Sequence, residues 1–410
     1  MKPSVAMNKA LIFVLFIFFI SCKKDITNTL KIGTWRAEMK LSETVTLPFN
    51  FEVTSSHSLK ILNADEVIFV EDITYQNDSV LIKMPAFDGH YISAKLTEEK
   101  MEGVFVEESR ERIVPFVATF GVENRFEIKD EPAYTISGRW ETIFSEGKGD
   151  DEYEALGIFD QDGNKVTGTF RTTKGDYRYL EGVLDGEELK LSTFDGSHVF
   201  YYTAKVTDSS MIGMFYSGNH FKEPFVAYRN ENFELEDPET ITFIKEGYDR
   251  LEFSFPDASN NMVSLTDDRF KNKVVVVQLM GTWCPNCLDE TKYYTEFYKN
   301  NRDKDLEFVA LAFEYAKTNE LAFKGIAKLK NDIGIEYPIL LAQIGGSSKV
   351  KAQEKLPMLN HVWSYPTSIF IDKKGEVRKI HTGFNGPATG EKYVEFKMEF
   401  ESFIDKLLKE

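Results

Sequence analysis

The chain has 410 residues, enough at roughly 150 per domain for two or three domains with buried cores. With 28% charged and 42% hydrophobic residues it is globular, neither disordered nor membrane-spanning throughout. A formal charge of -17 speaks against nucleic-acid binding, which needs a basic face, and three cysteines exclude both a disulfide-stapled scaffold and a four-thiolate zinc site.

The chain opens with Lys2 and Lys9, then an apolar run over residues 10–20, then Ser21-Cys22-Lys23-Lys24-Asp25. That run is too short to span a bilayer, which takes about 20 residues. A basic start, a short apolar stretch and a small residue at its end describe an export signal instead. Residues Phe19-Ile20-Ser21-Cys22 resemble a bacterial lipobox. The resemblance implies a lipoprotein signal peptide over residues 1–21, with acyl chains carried on Cys22. Such an anchor places the chain at a bacterial membrane, facing the periplasm or the cell surface, and several acyl chains hold more firmly than one. An ordinary signal peptide is the alternative.

From about residue 30 to 232 short alternating strands are separated by turn signals, with Asp162-Gly163 and Asp185-Gly186 placed as tight hairpins. The aromatic content of 14% agrees with strand-rich structure. The region repeats itself. Gly33-Thr34-Trp35 matches Gly138-Arg139-Trp140, and Phe87-Asp88-Gly89 matches Phe194-Asp195-Gly196. Met101, Gly103 and Phe105 match Met211, Gly213 and Phe215, and Pro115-Phe116-Val117-Ala118 recurs as Pro224-Phe225-Val226-Ala227. A colinear repeat this long is no solenoid. It predicts a duplicated all-β unit, sandwich or barrel-like, with a first copy over residues 22–136 and a second over 137–235. The matched aromatic residues read as core. His90 and His198 flank the two Phe-Asp-Gly motifs out of register, which weakens a shared metal site. The duplicated unit reads as a platform holding the next domain off the membrane, with partner docking or control of substrate access as the sharper alternative.

Residues 240–410 change to strands alternating with helices, the pattern of a layered α/β sheet. Val274–Met280 is almost continuously apolar and largely β-branched, as in a strand buried on both faces. It runs through Gly281-Thr282-Trp283 into Cys284-Pro285-Asn286-Cys287 and then a helix to about Asn301. A second strand over Leu306–Phe313, a helix over residues 318–333 and a third strand over 337–341 follow. Another short helix precedes a hairpin of Thr367–Ile371 with residues 376–381, and an amphipathic helix through Phe396, Phe400, Phe403 and Leu407 closes the chain.

A Cys-x-x-Cys pair at a strand-to-helix junction points to thiol chemistry. Unsatisfied N–H groups and partial positive charge at a helix start favour a thiolate. Cys284 would be the exposed nucleophile, and Cys287, one turn on, would resolve the mixed disulfide. A zinc knuckle would need four ligands, and the nearest downstream histidine, His361, lies 74 residues beyond Cys287.

The segment Val277-Gln278-Leu279-Met280-Gly281-Thr282-Trp283-Cys284-Pro285-Asn286-Cys287, with Glu290 three residues on, resembles the TlpA/ResA-like thiol-disulfide oxidoreductases of the thioredoxin superfamily. Ser364-Tyr365-Pro366-Thr367-Ser368-Ile369-Phe370-Ile371-Asp372, followed by Gly375, is similar to the family's proline-threonine-strand segment. The resemblance implies a thioredoxin-like domain, with Pro366 as the cis-proline beside the dithiol. It implies a substrate groove lined by Trp283, Tyr365, Pro366 and Thr367. Glu290 would exchange a proton with the resolving thiol, since Gln278 occupies the place where many thioredoxins bury an aspartate. No cofactor or metal is implied. The partners would be protein disulfides or dithiols and an upstream membrane or periplasmic thiol donor. Lys292 stands where the family often has a proline, so the helix need not kink, and residues 316–363 form an enlarged stretch. A peroxiredoxin-type peroxidase would want a proline and a threonine at positions held here by Val277 and Gly281. A lipoprotein binding module with an accessory redox domain is the remaining alternative.

Overall fold

The computed structural model describes residues 29–410 apart from Asp88, so the export segment, Cys22 and the aspartate of the first Phe-Asp-Gly motif lie outside the described residues. Between Gly33 and Phe120 nine antiparallel strands form one sheet, with Gly33–Lys40 paired centrally to both Thr46–Ser55 and Arg112–Phe120. Its two edge strands, Glu66–Val70 and Asp72–Gln76, are separated by a single residue, so the sheet curls until its edges approach. Between Gly138 and Arg229 the chain follows a similar path, and here Tyr153–Asp162 pairs with Lys165–Thr172 to close eight strands into a barrel. Closure removes the exposed sheet edges that invite aggregation.

Matched positions of the two repeats do the same work. Trp35 and Trp140 are fully buried, and each indole N–H donates to the carbonyl four residues upstream, Lys31 and Ile136, at 2.9 Å. Gly103 and Gly213 both sit where a Cβ would strike a neighbouring strand, at the carbonyl oxygens of Ser93 and Thr203. The two units pack through the second Phe-Asp-Gly motif. The Phe194 ring enters the first unit's core, 4.6 Å from Phe49 and 5.1 Å from Phe105. The Asn63 side chain bonds the Phe194 backbone in both directions, at 3.0 and 3.2 Å. His90 and His198, out of register in sequence, both pack on Phe87 at this junction.

The C-terminal part is a five-stranded sheet of β1 (Val274–Met280), β2 (Leu306–Phe313), β3 (Ile339–Gln343), β4 (Thr367–Ile371) and β5 (Val377–Thr382), in the order β3-β2-β1-β4-β5. The first three are parallel, and β4 pairs antiparallel with both β1 and β5. Every residue of β1 and β2 is buried, in apolar runs interrupted only by Gln278 and Glu307. Helices α1 (Pro285–Asn300), α2 (Asn319–Ile333), α3 (Lys349–Lys355) and α4 (Glu391–Lys409) cover it. α1 runs unbroken past Lys292, and its Tyr294 stacks 5.1 Å from Phe400 of α4. β3 starts after Pro338, which has no N–H to give the ladder. Among the described residues no helix is long and apolar enough to cross a membrane.

Candidate active site

β1 delivers the chain to the dithiol through Gly281, whose missing side chain makes room for the Trp283 indole. That indole donates to the Phe313 carbonyl at 2.8 Å and meets Tyr315 edge-on at 4.8 Å. Cys284 is the N-cap of α1, and its Sγ accepts the Cys287 N–H at 3.2 Å. Capping by sulfur directs a helix-start N–H at the nucleophile. Cys284 and Cys287 are joined as a disulfide, with Cα atoms 5.2 Å apart. Across the sulfur, the Tyr365 carbonyl lies 3.4 Å from Cys284 Sγ, and the Tyr365–Pro366 peptide is cis.

The structure thus gathers Trp283, Cys284, Cys287, Tyr365 and Pro366 in one place. Tyr365 is buried between Phe313 at 5.0 Å and Trp283 at 6.0 Å, with Lys349 Nζ 3.3 Å above its ring. Burial pushes the Lys349 amine down to about 7. Thr367 does not line an open groove. It is buried, and its hydroxyl donates to the Ser364 carbonyl at 2.9 Å, holding the proline loop in shape.

Glu290, one turn along α1 from Cys287, is fully buried. Its carboxylate accepts from Gln278 Nε2 at 2.7 Å and from Tyr294 Oη and Ser368 Oγ at 3.0 Å each. Burial nevertheless pushes its pKa up to about 7. Gln278 therefore contacts this acid directly, and its own Oε1 accepts from Thr291 at 3.1 Å. A second buried carboxyl, Glu314 just beyond β2, is absent from the sequence reading. It accepts the Thr282 N–H at 2.9 Å and the Thr282 hydroxyl at 2.7 Å, and burial pushes it to about 7 as well. An acid ending a wholly buried strand is the one local signal that could have found it.

The expectation that Cys284 is exposed is corrected by the structure: it is 4% accessible. The second barrel packs against the loops on either side of it, where strand Lys165–Thr172 turns back into a two-residue strand, Gly175–Asp176. Asn286 Nδ2 donates to the Asp176 carbonyl at 3.1 Å, and Ser364 Oγ donates to the Lys174 carbonyl at 3.0 Å. Trp363, 41% exposed, donates its indole N–H to Thr173 Oγ1 at 3.2 Å. The first barrel also reaches the site, with the Arg110 guanidinium 5.4 Å from the Trp283 ring and 4.9 Å from that of Tyr315. The β region therefore does not stand apart as a spacer.

A five-stranded sheet of this order, with a cysteine pair capping the helix after its central strand and a cis-proline loop opposite, defines a thioredoxin-fold redox domain. The Redoxin family matches residues 245–394. The thioredoxin-like protein YneN of Bacillus subtilis is 30% identical over 140 residues, which are 34% of this chain and 73% of YneN. The thiol-disulfide oxidoreductase ResA of Bacillus thuringiensis subsp. konkukian is 29% identical over 131 residues, which are 32% of this chain and 66% of ResA. A solved thiol-disulfide oxidoreductase from Bacteroides fragilis aligns at 20% identity with a TM-score of 0.27, covering 36% of this chain and 99% of that one. The chain belongs to the ResA-like thiol-disulfide oxidoreductases of the thioredoxin superfamily, through its C-terminal part.

Proposed function

We propose that this protein is a membrane-anchored reductase of disulfides in extracytoplasmic proteins, working through Cys284 and Cys287. The observation that carries the reading is the placement of Cys284 Sγ, capped by the Cys287 N–H on one side and facing the Tyr365 carbonyl on the other. In the reduced protein the Cys284 thiolate attacks one sulfur of a substrate disulfide. That S–S bond breaks, a mixed disulfide forms, and the other substrate sulfur leaves as a thiolate that takes up a proton. Cys287, losing its proton towards Glu290, then attacks Cys284 Sγ and expels the second substrate thiol. Two electrons pass to the substrate, and the Cys284–Cys287 disulfide remains to be reduced by an upstream protein dithiol. Trp283, Tyr365 and Pro366 shape the groove, Thr367 holds its proline loop, and Cys22, acylated, tethers the chain to the membrane.

An insulin-type disulfide reduction assay on the full chain tests the reaction. Turnover should vanish in Cys284→Ser, and turnover that persists there refutes the mechanism. For the anchor, Cys22→Ala should move the protein from the membrane fraction to the soluble one, and a variant that stays membrane-bound excludes it.

A further inference from the structure

The space beside the dithiol is filled by the chain itself. Thr172 pairs with Gly175, so Thr173 and Lys174 form the tip of a hairpin that projects from the second barrel. The hairpin reaches all three loops around the sulfurs. It bonds Asn286, inside the Cys-x-x-Cys turn, and Ser364, next to Tyr365. Behind these, Asp176 Oδ2 accepts the Gly386 N–H at 2.6 Å, and a Cβ on Gly383 would lie 2.8 Å from the Thr173 carbonyl. Two of these contacts use the backbone carbonyls of Lys174 and Asp176, which any extended chain can supply. The fit is incomplete, because Asn286 Oδ1 and the Tyr365 hydroxyl are buried without a hydrogen-bond partner.

We propose that residues 173–176 are a built-in occupant of the substrate groove, so that the dithiol reacts only with partners carrying an extended, mobile segment that displaces them. This rests on the exchange reaction proposed above and adds what selects its substrates. A rigid folded surface cannot enter the groove, whereas a flexible cysteine-bearing strand can take over the bonds from Ser364 and Asn286 and offer an N–H to Asn286 Oδ1. Arg178, at the foot of the hairpin, holds it in place through Asp289 of α1 at 2.5 Å. Thr173 and Lys174 touch the redox domain through polar and cation–ring contacts, with Lys174 Nζ 5.3 Å from the Trp363 ring.

The test measures alkylation of Cys284 by a polyethylene-glycol maleimide in full-length Cys287→Ser, alone and combined with Asp176→Ala or Ser364→Ala. If the parent groove is open about a tenth of the time, either added change should speed the reaction up to about tenfold. Equal rates in parent and both variants overturn the proposal. A second readout leaves the hairpin intact. Cys287→Ser carrying a short peptide as a mixed disulfide on Cys284 should be cut by trypsin after Lys174 faster than the peptide-free protein. An adduct that leaves that cleavage unchanged also overturns the proposal. Failure to form an adduct with any disulfide counts against the exchange reaction instead, while the alkylation rates still decide the fate of the hairpin.

Discussion

Glu290 and Glu314 are carboxyls with ordinary values near 4.5, raised by burial to about 7. A raised folded-state pKa means the fold favours the protonated acid. The associated stability is complete below about 4.5 and is lost as pH rises through about 7. Glu290→Gln cannot ionise, so it should gain on the wild type by roughly 2–3 kcal/mol between pH 5 and 7.5, read from urea unfolding at each pH. A difference that stays constant across that range would show that Glu290 does not titrate there. The same substitution should flatten the inflection near neutral pH in the disulfide-exchange profile, an effect that a purely structural glutamate would not produce. Glu314→Ala strips Thr282 of both its bonds and should cost about 1–3 kcal/mol in thermal or urea unfolding. The role expected of Glu290 came from the resemblance of the dithiol segment to its family. Its partner Tyr294, four residues on in α1, follows from helical spacing, whereas Ser368 lies on β4, where spacing gives no guidance.

At the scale of elements, what is local was legible. The apolar run of β1, the start of α1 at Cys284 and the hairpin turns at Asp162-Gly163 and Asp185-Gly186 follow from residue pattern alone. The repeat was legible too, because both copies need a tryptophan at the core and a glycine where strands come close. Trp140→Ala should therefore cost about 3–5 kcal/mol, whereas the exposed Phe69→Ala should stay within roughly 0.5 kcal/mol, both measured by denaturant unfolding. Comparable losses at the two sites would contradict this account of the core. The hairpin over the dithiol was not legible. Asp176 and Asn286 are 110 residues apart, and nothing in the turn residues Thr173-Lys174 announces where they will dock.

The whole molecule is pinned at Arg178. This buried guanidinium, from the second barrel, pairs with Glu66 of the first barrel, with Asp195 of its own at 3.3 Å and with Asp289 of α1 at 2.5 Å. One side chain thus ties the three parts together. Arg178→Met removes the cation that Glu66, Asp195 and Asp289 share, leaving, among the described residues, Asp195 only His198 and Asp289 only the exposed Lys292 as charge partners. It should cost about 3–5 kcal/mol, seen as earlier loss of contact between barrels and redox domain in hydrogen exchange. Exchange unchanged at Pro285–Asn300 would contradict that coupling. The sequence charge of -17, which argues against nucleic-acid binding, says nothing of this arrangement, in which basic side chains gather around the dithiol: Arg110, Lys174 and Lys349 each lie over an aromatic ring. The most direct test of the central claim is trapping. Full-length Cys287→Ser, mixed with a disulfide-bonded peptide and analysed by intact mass and peptide mapping, should carry one peptide on Cys284. No adduct, or an equal adduct in a Cys284→Ser/Cys287→Ser double variant, would contradict the account.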